Sequence, residues 1–325
     1  MNGPTPRELA AELLPATFLT AHALAARGLT RRALTSLVRA GQLVRLRRGR
    51  YVPADTHPQL IRAGELGGRL DCVSLLAALG VFVHTGRELH LQIERGASRL
   101  PAAPADAIRH WRVSSRPSEA LSADLTEAIA QAFRCQGVRA GLCTIESAWH
   151  HRLIDEEGVA AVFALLPRPY RRLRGLLDPR AESGTETIMR LMLRALGCDV
   201  AVQVRIRGVG RVDLVVDGWL IVECDSRAFH EGWAKQKDDR RRDLAAAARG
   251  YTTVRLLAED VLYRRDVVLA HMKEVLAHGP ATRTVRNSST SGVRARRRVR
   301  SGPSDGEVEE LRSSAQPGRA PAGAG

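Results

Sequence analysis

The chain has 325 residues, enough for two or three domains, and carries 50 Lys and Arg against 35 Asp and Glu. The resulting net charge of +15 favours a polyanionic partner such as nucleic acid, although the Arg- and Ala-rich composition of GC-rich genomes raises the pI by itself. No apolar run reaches the roughly 20 residues that cross a bilayer, which excludes a membrane-spanning protein.

The cysteines argue against a disulfide-stabilised secreted protein. Their number is odd, none forms a C-x-x-C pair, and several lie in apolar runs. We therefore expect thiols buried in a reducing compartment rather than disulfides or a zinc site. The first residues, MNGPTPRELAAELLP, do not have the pattern of a signal peptide, so we expect a cytoplasmic protein. The cysteines are Cys72, Cys135, Cys143, Cys198 and Cys224.

Residues 1–60 begin with two predicted short helices. Thr20 can cap the first, over 21–28, and Thr30 can cap the second, over 31–41, and each helix ends at a glycine. Two short helices joined by a tight turn are typical of a helix-turn-helix. The apolar and basic residues that follow, LVRLRRGRYVP, predict a β-hairpin wing that turns at Arg48 and Gly49.

Residues 1–60 contain nine Arg and three acidic residues, which favours DNA as the partner. In a winged helix-turn-helix the start of the second helix lies nearest the bases, and the wing contacts phosphates. We expect base contacts from Arg31, Arg32, Thr35 and Ser36. We expect phosphate contacts from Arg45, Arg47, Arg48 and Arg50. Winged helices also mediate protein interactions, and that alternative stays open.

This segment resembles the amino-terminal winged helix of AbiE-type abortive-infection antitoxins, which belong to type IV toxin–antitoxin systems. The similarity covers about residues 15–55 and lies in TAHALAARGLTRRALTSLVRAGQLVRLRRGRYVP. The resemblance implies a protein that binds DNA and represses its own operon. It also implies a cognate toxin as a candidate partner.

Residues 61–181 alternate apolar segments with Pro- and Ala-rich loops and predict a small α/β connector domain. Its predicted elements are a helix within 70–82, a strand within 88–96 and helices within 123–135 and 140–154. On the last helix Glu146 lies one turn from His150 and close to His151. A solvated polar face is a better interpretation of these three residues than a metal site, because no third ligand is evident.

Residues 182–278 have the clearest pattern, a helix and a hairpin followed by a helix, a strand and a helix, which predicts a mixed sheet flanked by helices. Its predicted elements are a helix over 182–197, strands over 200–206, 211–216 and 219–225, a helix over 236–250, a strand over 251–257 and a helix over 258–278.

Residues 279–325 are rich in Gly, Ser, Pro and Arg, with nine Arg and four acidic residues. We expect them to form a disordered basic tail, either merely solvated or a weak electrostatic arm for DNA.

The hairpin over 211–225 predicts an acidic pair. A three-residue loop that begins with Asp217 and Gly218 pairs Val216 with Leu220, so that one face is entirely apolar, whereas a two-residue loop mixes charges with apolar residues on both faces. The apolar register places Asp213 opposite Glu223. Two facing carboxylates repel each other unless a cation lies between them, so we expect Mg²⁺ or Mn²⁺ here. The alternative is an exposed face on which Arg211 balances the acids.

This arrangement resembles the restriction-endonuclease-like PD-(D/E)XK superfamily, in particular its Vsr-like branch. The similarity lies in TETIMRLMLRALG, QVRIRGVGRVDLVV, LIVECDSRAFH and DDRRRDLAAAARGYTTVRLLAEDV. It implies that Asp213 and Glu223 bind the metal with help from Glu186. Asp225 stands where the superfamily has Lys, which leaves catalysis in question; Asp225 or His230 would activate water, and Arg240 would contact the DNA strand.

Together these patterns predict an α/β protein with a winged helix-turn-helix, a connector, an endonuclease-like domain and a tail. Two functions compete. One is a metal-dependent DNA endonuclease in phage defence or DNA repair, directed to DNA by its winged helix. The other is a non-catalytic repressor or antitoxin whose nuclease-like domain serves as a platform for DNA or for a homodimer.

Overall fold

A computed structural model describes residues 3–84, 88–225 and 233–279. The chain forms two compact units, Met1–Thr187 (unit 1) and Ile188–Gly325 (unit 2). Both contain helices and sheets, so the expected mixed α/β class is confirmed. No helix within the described ranges is long and apolar enough to cross a membrane. The expectations for His230 and for the basic tail beyond Gly279 concern residues outside those ranges.

Unit 1 begins with a helix-turn-helix-like region followed by a hairpin. Thr20 and Thr30 cap the second and third helices, as the sequence predicted, and their hydroxyl oxygens accept the N–H groups of Ala23 and Ala33 at 3.1 and 3.2 Å. The three strands form an antiparallel sheet in the order β1-β3-β2. The elements are α1 (Pro6–Leu13), β1 (Leu19–Thr20), α2 (Ala21–Ala26), α3 (Arg31–Arg39), β2 (Leu43–Arg47) and β3 (Arg50–Pro53).

The rest of unit 1 combines a second sheet with a helical layer. The sheet has the order β4-β5-β6, and β5 and β6 run parallel. The predicted helices and strand are present, whereas β6 was not predicted. The elements are α4 (Pro58–Glu65), β4 (Arg69–Leu70), α5 (Cys72–Ala78), β5 (Leu89–Glu94), β6 (Ala107–Arg112), α6 (Leu125–Gln136), α7 (Val138–His150), α8 (Glu156–Leu165) and a 3-10 helix (Arg168–Leu176).

Unit 2 contains a four-stranded sheet in the order β10-β9-β8-β7, in which only β10 and β9 run parallel. The predicted strands are confirmed to within a residue or two, but the last predicted helix is interrupted at Arg264 and forms two helices. The elements are α9 (Gly184–Ala195), which begins in unit 1, β7 (Val200–Ile206), β8 (Gly210–Val216), β9 (Leu220–Asp225), α10 (Trp233–Ala247), β10 (Thr252–Leu257), α11 (Ala258–Tyr263) and α12 (Arg265–Ala277).

The register of the β8–β9 hairpin is the predicted one. Val216 pairs with Leu220 and Leu214 pairs with Val222. The loop is tight because Asp217 and Gly218 both adopt positive φ, 48° and 75°, a conformation that glycine takes without strain. The six apolar residues of the predicted face are buried: Val212, Leu214, Val216, Leu220, Val222 and Cys224.

The opposite face of this hairpin is not an open polar surface. Val215 and Ile221 on that face pack with Ala246 of α10 in a hydrophobic cluster. Burying the Val215 and Ile221 side chains contributes of the order of 2 kcal/mol each. The same helix also carries Arg242, which contacts Glu223.

Candidate functional site

The regular pairing of the sheet lacks one pair at Asp213, although β7 and β8 continue past it. The β7–β8 ladder pairs Val202 with Leu214 and then Val204 with Val212, with no pair at Asp213 itself, and the β8–β9 ladder ends at Leu214 and Val222. Asp213 and Glu223 thus lie one position beyond the last regular pair. The Asp213 carboxylate instead accepts the N–H of Cys224 at 2.9 Å.

The residue beside Asp213 on β7 has an unusual backbone. Gln203 adopts φ +53°, in the left-handed region that residues other than glycine rarely adopt. Its amide Nε2 lies 3.5 Å from Asp213 Oδ1, at the limit of a hydrogen bond. Such outliers persist only where the surrounding structure holds them, and they are common at functional sites.

Glu223 lies between two guanidinium groups. Arg242 of α10 donates to Glu223 Oε1 at 3.0 Å, and Arg255 of β10 donates to Oε2 at 3.1 Å. Arg255 also forms a bidentate pair with Asp243 at 2.7 and 3.0 Å. Burial lowers the pKa of Arg255, but its hydrogen bond to Glu223 and the nearby carboxylates outweigh this effect and raise the pKa above its ordinary value.

These contacts bear on the expected metal ion. Carboxylate oxygens are the donors that Mg²⁺ and Mn²⁺ prefer. However, each Glu223 oxygen already contacts a guanidinium, and Arg242 is further held by the carbonyls of Val209 and Arg211 at 3.1 and 2.8 Å. Arginines therefore already supply the counter-charge of Glu223, and a divalent cation bound by Asp213 and Glu223 stays a prediction.

The remaining residues of the predicted catalytic set are placed as follows. Glu186 belongs to unit 1, in the first turn of α9, and its carboxylate accepts the N–H of Glu182 at 3.0 Å. Asp225 is the last residue of β9, where its backbone pairs with Leu257. Arg240 is exposed on α10. His230 lies outside the described residues.

In unit 1, α3 presents an exposed polar surface. Leu34 is buried, whereas Arg31, Arg32, Thr35 and Ser36 are all exposed. The Thr35 hydroxyl donates to the carbonyl of Arg31 at 3.0 Å, which restrains that side chain along the helix. The four predicted base-contacting residues are thus accessible within the first six residues of one capped helix.

The hairpin arginines divide into two pairs. Arg45 and Arg48 are exposed. Arg47 donates to the carbonyl of Arg99 at 2.8 Å, and the guanidinium of Arg50 stacks over Phe18 at 4.6 Å. Burial, with the charge of Arg47, lowers the pKa of Arg50. Two of the four expected phosphate contacts therefore already make contacts within unit 1.

Residues 7–54 match a family model of transcriptional regulators, the AbiEi antitoxins. The chain therefore carries an antitoxin-type transcriptional-regulator segment, here called the AbiEi-like segment. The resemblance found in the sequence is confirmed for this segment. No curated protein matches the chain. The likeness of residues 182–278 to endonucleases stays a prediction.

The AbiEi-like segment contains α3 and the hairpin, so the exposed residues of α3 and the hairpin belong to it.

The sequence pattern placed Glu146 of α7 on a solvated face, and this prediction is wrong for Glu146. Its buried carboxylate accepts the N–H of Asp178 at 2.7 Å and the hydroxyl of Thr187 at 2.6 Å. Glu146 is therefore a structural acceptor within unit 1.

Sequence reasoning missed the partners of Glu223. Arg242 and Arg255 come from α10 and β10, 19 and 32 residues away along the chain. The sequence pattern had predicted strand β10 but not its neighbour; its parallel pairing with β9 sets Arg255 directly beside Glu223. The residue that had been considered as a balancing charge was Arg211, whose carbonyl is the group that contacts Arg242.

Proposed function

We propose that this chain is a DNA-binding transcriptional regulator of the AbiEi antitoxin type, with α3 as its recognition helix. One observation carries the proposal: the AbiEi-like segment exposes Arg31, Arg32, Thr35 and Ser36 together on a capped helix whose Leu34 is buried. Arg side chains in this position can form bidentate contacts with guanine in the major groove.

In this proposal β2 and β3 form the wing of a winged helix. Arg45 and Arg48 contact phosphates, which fixes the register on DNA without reading its sequence. Arg47 and Arg50 hold the shape of the hairpin through the Arg99 carbonyl and the Phe18 ring. Substituting these two residues would therefore affect stability as well as DNA binding.

The test measures binding of the full chain to the DNA immediately upstream of its coding sequence and to a scrambled fragment of equal length. Changing both Arg31 and Arg32 to Ala should weaken upstream binding by at least about tenfold, since one good bidentate contact contributes about 1–3 kcal/mol. The matched control is Arg171→Ala, an exposed arginine outside the AbiEi-like segment. Equal wild-type affinity for both fragments contradicts the proposal.

Two protein partners accompany this proposal, a cognate toxin and a second copy of the chain. A dimer would place two recognition helices on half-sites about one helical turn apart. Light scattering of the purified chain, alone and with an operator fragment, measures its oligomeric state. Co-purification with the product of a neighbouring gene tests the toxin partner.

A metal-dependent DNA endonuclease is the second candidate function. The missing ladder pair at Asp213 and the left-handed backbone of Gln203 beside it favour it, because such backbone outliers are common at functional sites. Asp213 and Glu223 would hold Mg²⁺ or Mn²⁺. Asp225 or His230 would activate water, and Arg240 would contact the strand.

Plasmid nicking with Mg²⁺ or Mn²⁺ tests this candidate. Asp213→Ala should abolish nicking, whereas Asp238→Ala, which removes an exposed acid on α10, should not. No nicking by the wild type, or equal nicking by wild type and Asp213→Ala, contradicts it. If the Asp213→Ala variant still binds the upstream DNA fragment, the regulator proposal stands whatever the result of the nicking assay.

A further inference from the structure

Unit 1 brings together four side chains that are separate in the sequence. Cys72 begins α5, His90 lies on β5, His110 on β6 and Cys135 near the end of α6. One ligand atom from each lies within 4.8 Å of the other three. We propose that these four residues form a zinc site. This proposal is independent of the proposed function and reverses the expectation drawn from the cysteine spacing.

The distances suit tetrahedral coordination. With Zn–N near 2.0–2.1 Å and Zn–S near 2.3 Å, ligand atoms around one ion lie about 3.3 Å apart for two nitrogens and about 3.6 Å for nitrogen and sulfur. His90 Nδ1 and His110 Nε2 are 3.0 Å apart, and Cys135 Sγ lies 3.8 Å from His110 Nε2. Adjustments of a few tenths of an ångström would admit the ion.

The donor set selects the metal. Two thiolates and two neutral imidazoles in a tetrahedral arrangement suit Zn²⁺, whereas Mg²⁺ and Ca²⁺ prefer oxygen donors. The two thiolates would balance the charge of the ion, which allows the site to be largely buried. Cys72 and His90 are buried, His110 is half-buried and Cys135 is exposed, so an ion can enter from the Cys135 side.

The local backbone is built to hold Cys72 in place. Cys72 adopts φ +53°, a left-handed conformation that a residue other than glycine rarely takes. The preceding residue, Asp71, is fixed by the guanidinium of Arg112 at 2.5 and 2.8 Å and by its own N–H, which donates to the His90 carbonyl at 3.0 Å. These contacts join the strand that carries His90 to the turn that carries Cys72.

Groups around the ligands also support a metal site. The amide of Gln131 donates to Cys135 Sγ at 3.4 Å, a contact that stabilises a thiolate. The backbone N–H of His90 donates to the hydroxyl of Ser74 at 2.8 Å, and that hydroxyl donates to the Glu88 carbonyl at 3.1 Å. Outer contacts of this kind fix the orientation of metal-binding residues.

Four protein ligands leave no open position, so the ion would be structural rather than catalytic. It would link the two parallel strands β5 and β6 to the helices α5 and α6. The four elements would then be held together by a single ion inside unit 1. Zinc would therefore contribute to the folding of unit 1, because binding free energy is available only when all four elements are assembled.

The experiment measures zinc in the full-length chain, purified under reducing conditions, incubated with ZnCl₂ and desalted. The expected content is about one zinc ion per chain. Cys135→Ser should lose most of the metal, and so should His110→Gln. Cys198→Ser is the matched control, because Cys198 is a thiol outside the four and should leave the zinc content unchanged.

Replacing zinc by Co²⁺ gives a second readout, the visible absorption of tetrahedral cobalt bound to thiolate. The wild type and Cys198→Ser should show it and Cys135→Ser should not. Circular dichroism establishes that each variant is folded; if Cys135→Ser is unfolded, His110→Gln with its cobalt spectrum decides. The proposal is overturned if the wild type retains no zinc, if Cys135→Ser retains as much as the wild type, or if Cys72 and Cys135 form a disulfide instead.

Discussion

Glu223 shows how a single side chain joins three elements of unit 2. Its carboxylate lies on β9, and its partners Arg242 and Arg255 come from α10 and β10. The side chain of Glu223 is only 13% exposed, so its charge needs these partners. Arg255 also pairs with Asp243 and Arg242 with Asp239, so the network contains three acids and two arginines.

The first prediction concerns this network. Glu223→Gln should lower the free energy of unfolding by about 2 kcal/mol, because two charge-assisted hydrogen bonds are weakened and two guanidinium groups lose a counter-charge. Chemical denaturation followed by circular dichroism measures the change. Glu259→Gln, at an exposed position on α11, should change stability by less than about 0.5 kcal/mol. Equal stability of the two variants would show that the network is not stabilising.

At the scale of elements, the local sequence pattern was sufficient to predict strand pairing where one face of the strands had to be buried. The β8–β9 register followed from the requirement that Leu214, Val216, Leu220 and Val222 share one buried face. Strand β6 offered no such pattern, because it is an edge strand with Trp111 53% exposed. Its parallel pairing with β5 depends on a contact between distant segments.

The contact between α6 and α7 provides the second prediction. A Cβ at Gly141 of α7 would lie 2.4 Å from a ring carbon of Phe133 and 2.9 Å from its Cα, so the helices touch where Gly141 has no side chain. Gly141→Ala should therefore destabilise unit 1 by about 1–2 kcal/mol, although alanine favours helices by about 1 kcal/mol.

Thermal unfolding, monitored by circular dichroism, measures this effect. Gly175→Ala is the matched control, since no atom lies within 4 Å of the Cβ it would add. That variant should be neutral or slightly stabilising. If Gly141→Ala were as stable as Gly175→Ala, close helix packing at Gly141 would not limit the fold.

At the scale of the whole molecule, a feature could be predicted from the sequence when its residues lie close together along the chain. The sequence was enough to predict the basic AbiEi-like segment, because its residues lie within one short stretch of chain. The cluster of Cys72, His90, His110 and Cys135 could not be predicted, since its members come from four elements across more than 60 residues. No spacing motif marks a site that only the folded chain assembles.

The third prediction uses the net charge of +15. Binding to any DNA should weaken steeply as salt rises from about 50 to 200 mM, since each neutralised phosphate contributes about −0.9 to the slope of log K against log salt. Removing residues 280–325 takes away nine Arg and four acidic residues. If this segment acts as an electrostatic arm, the shortened chain should have a shallower slope and the same ratio of upstream to scrambled affinity.

Two results would contradict that expectation in different ways. An unchanged slope would mean that the basic segment does not contact DNA and contributes only to the overall charge. A lost preference for the upstream fragment would mean that it reads sequence, which phosphate contacts cannot do. Changing both Arg45 and Arg48 to Ala is the comparison within the AbiEi-like segment: it should reduce the slope by up to about two units and preserve the preference, because those side chains face phosphates in the proposed complex.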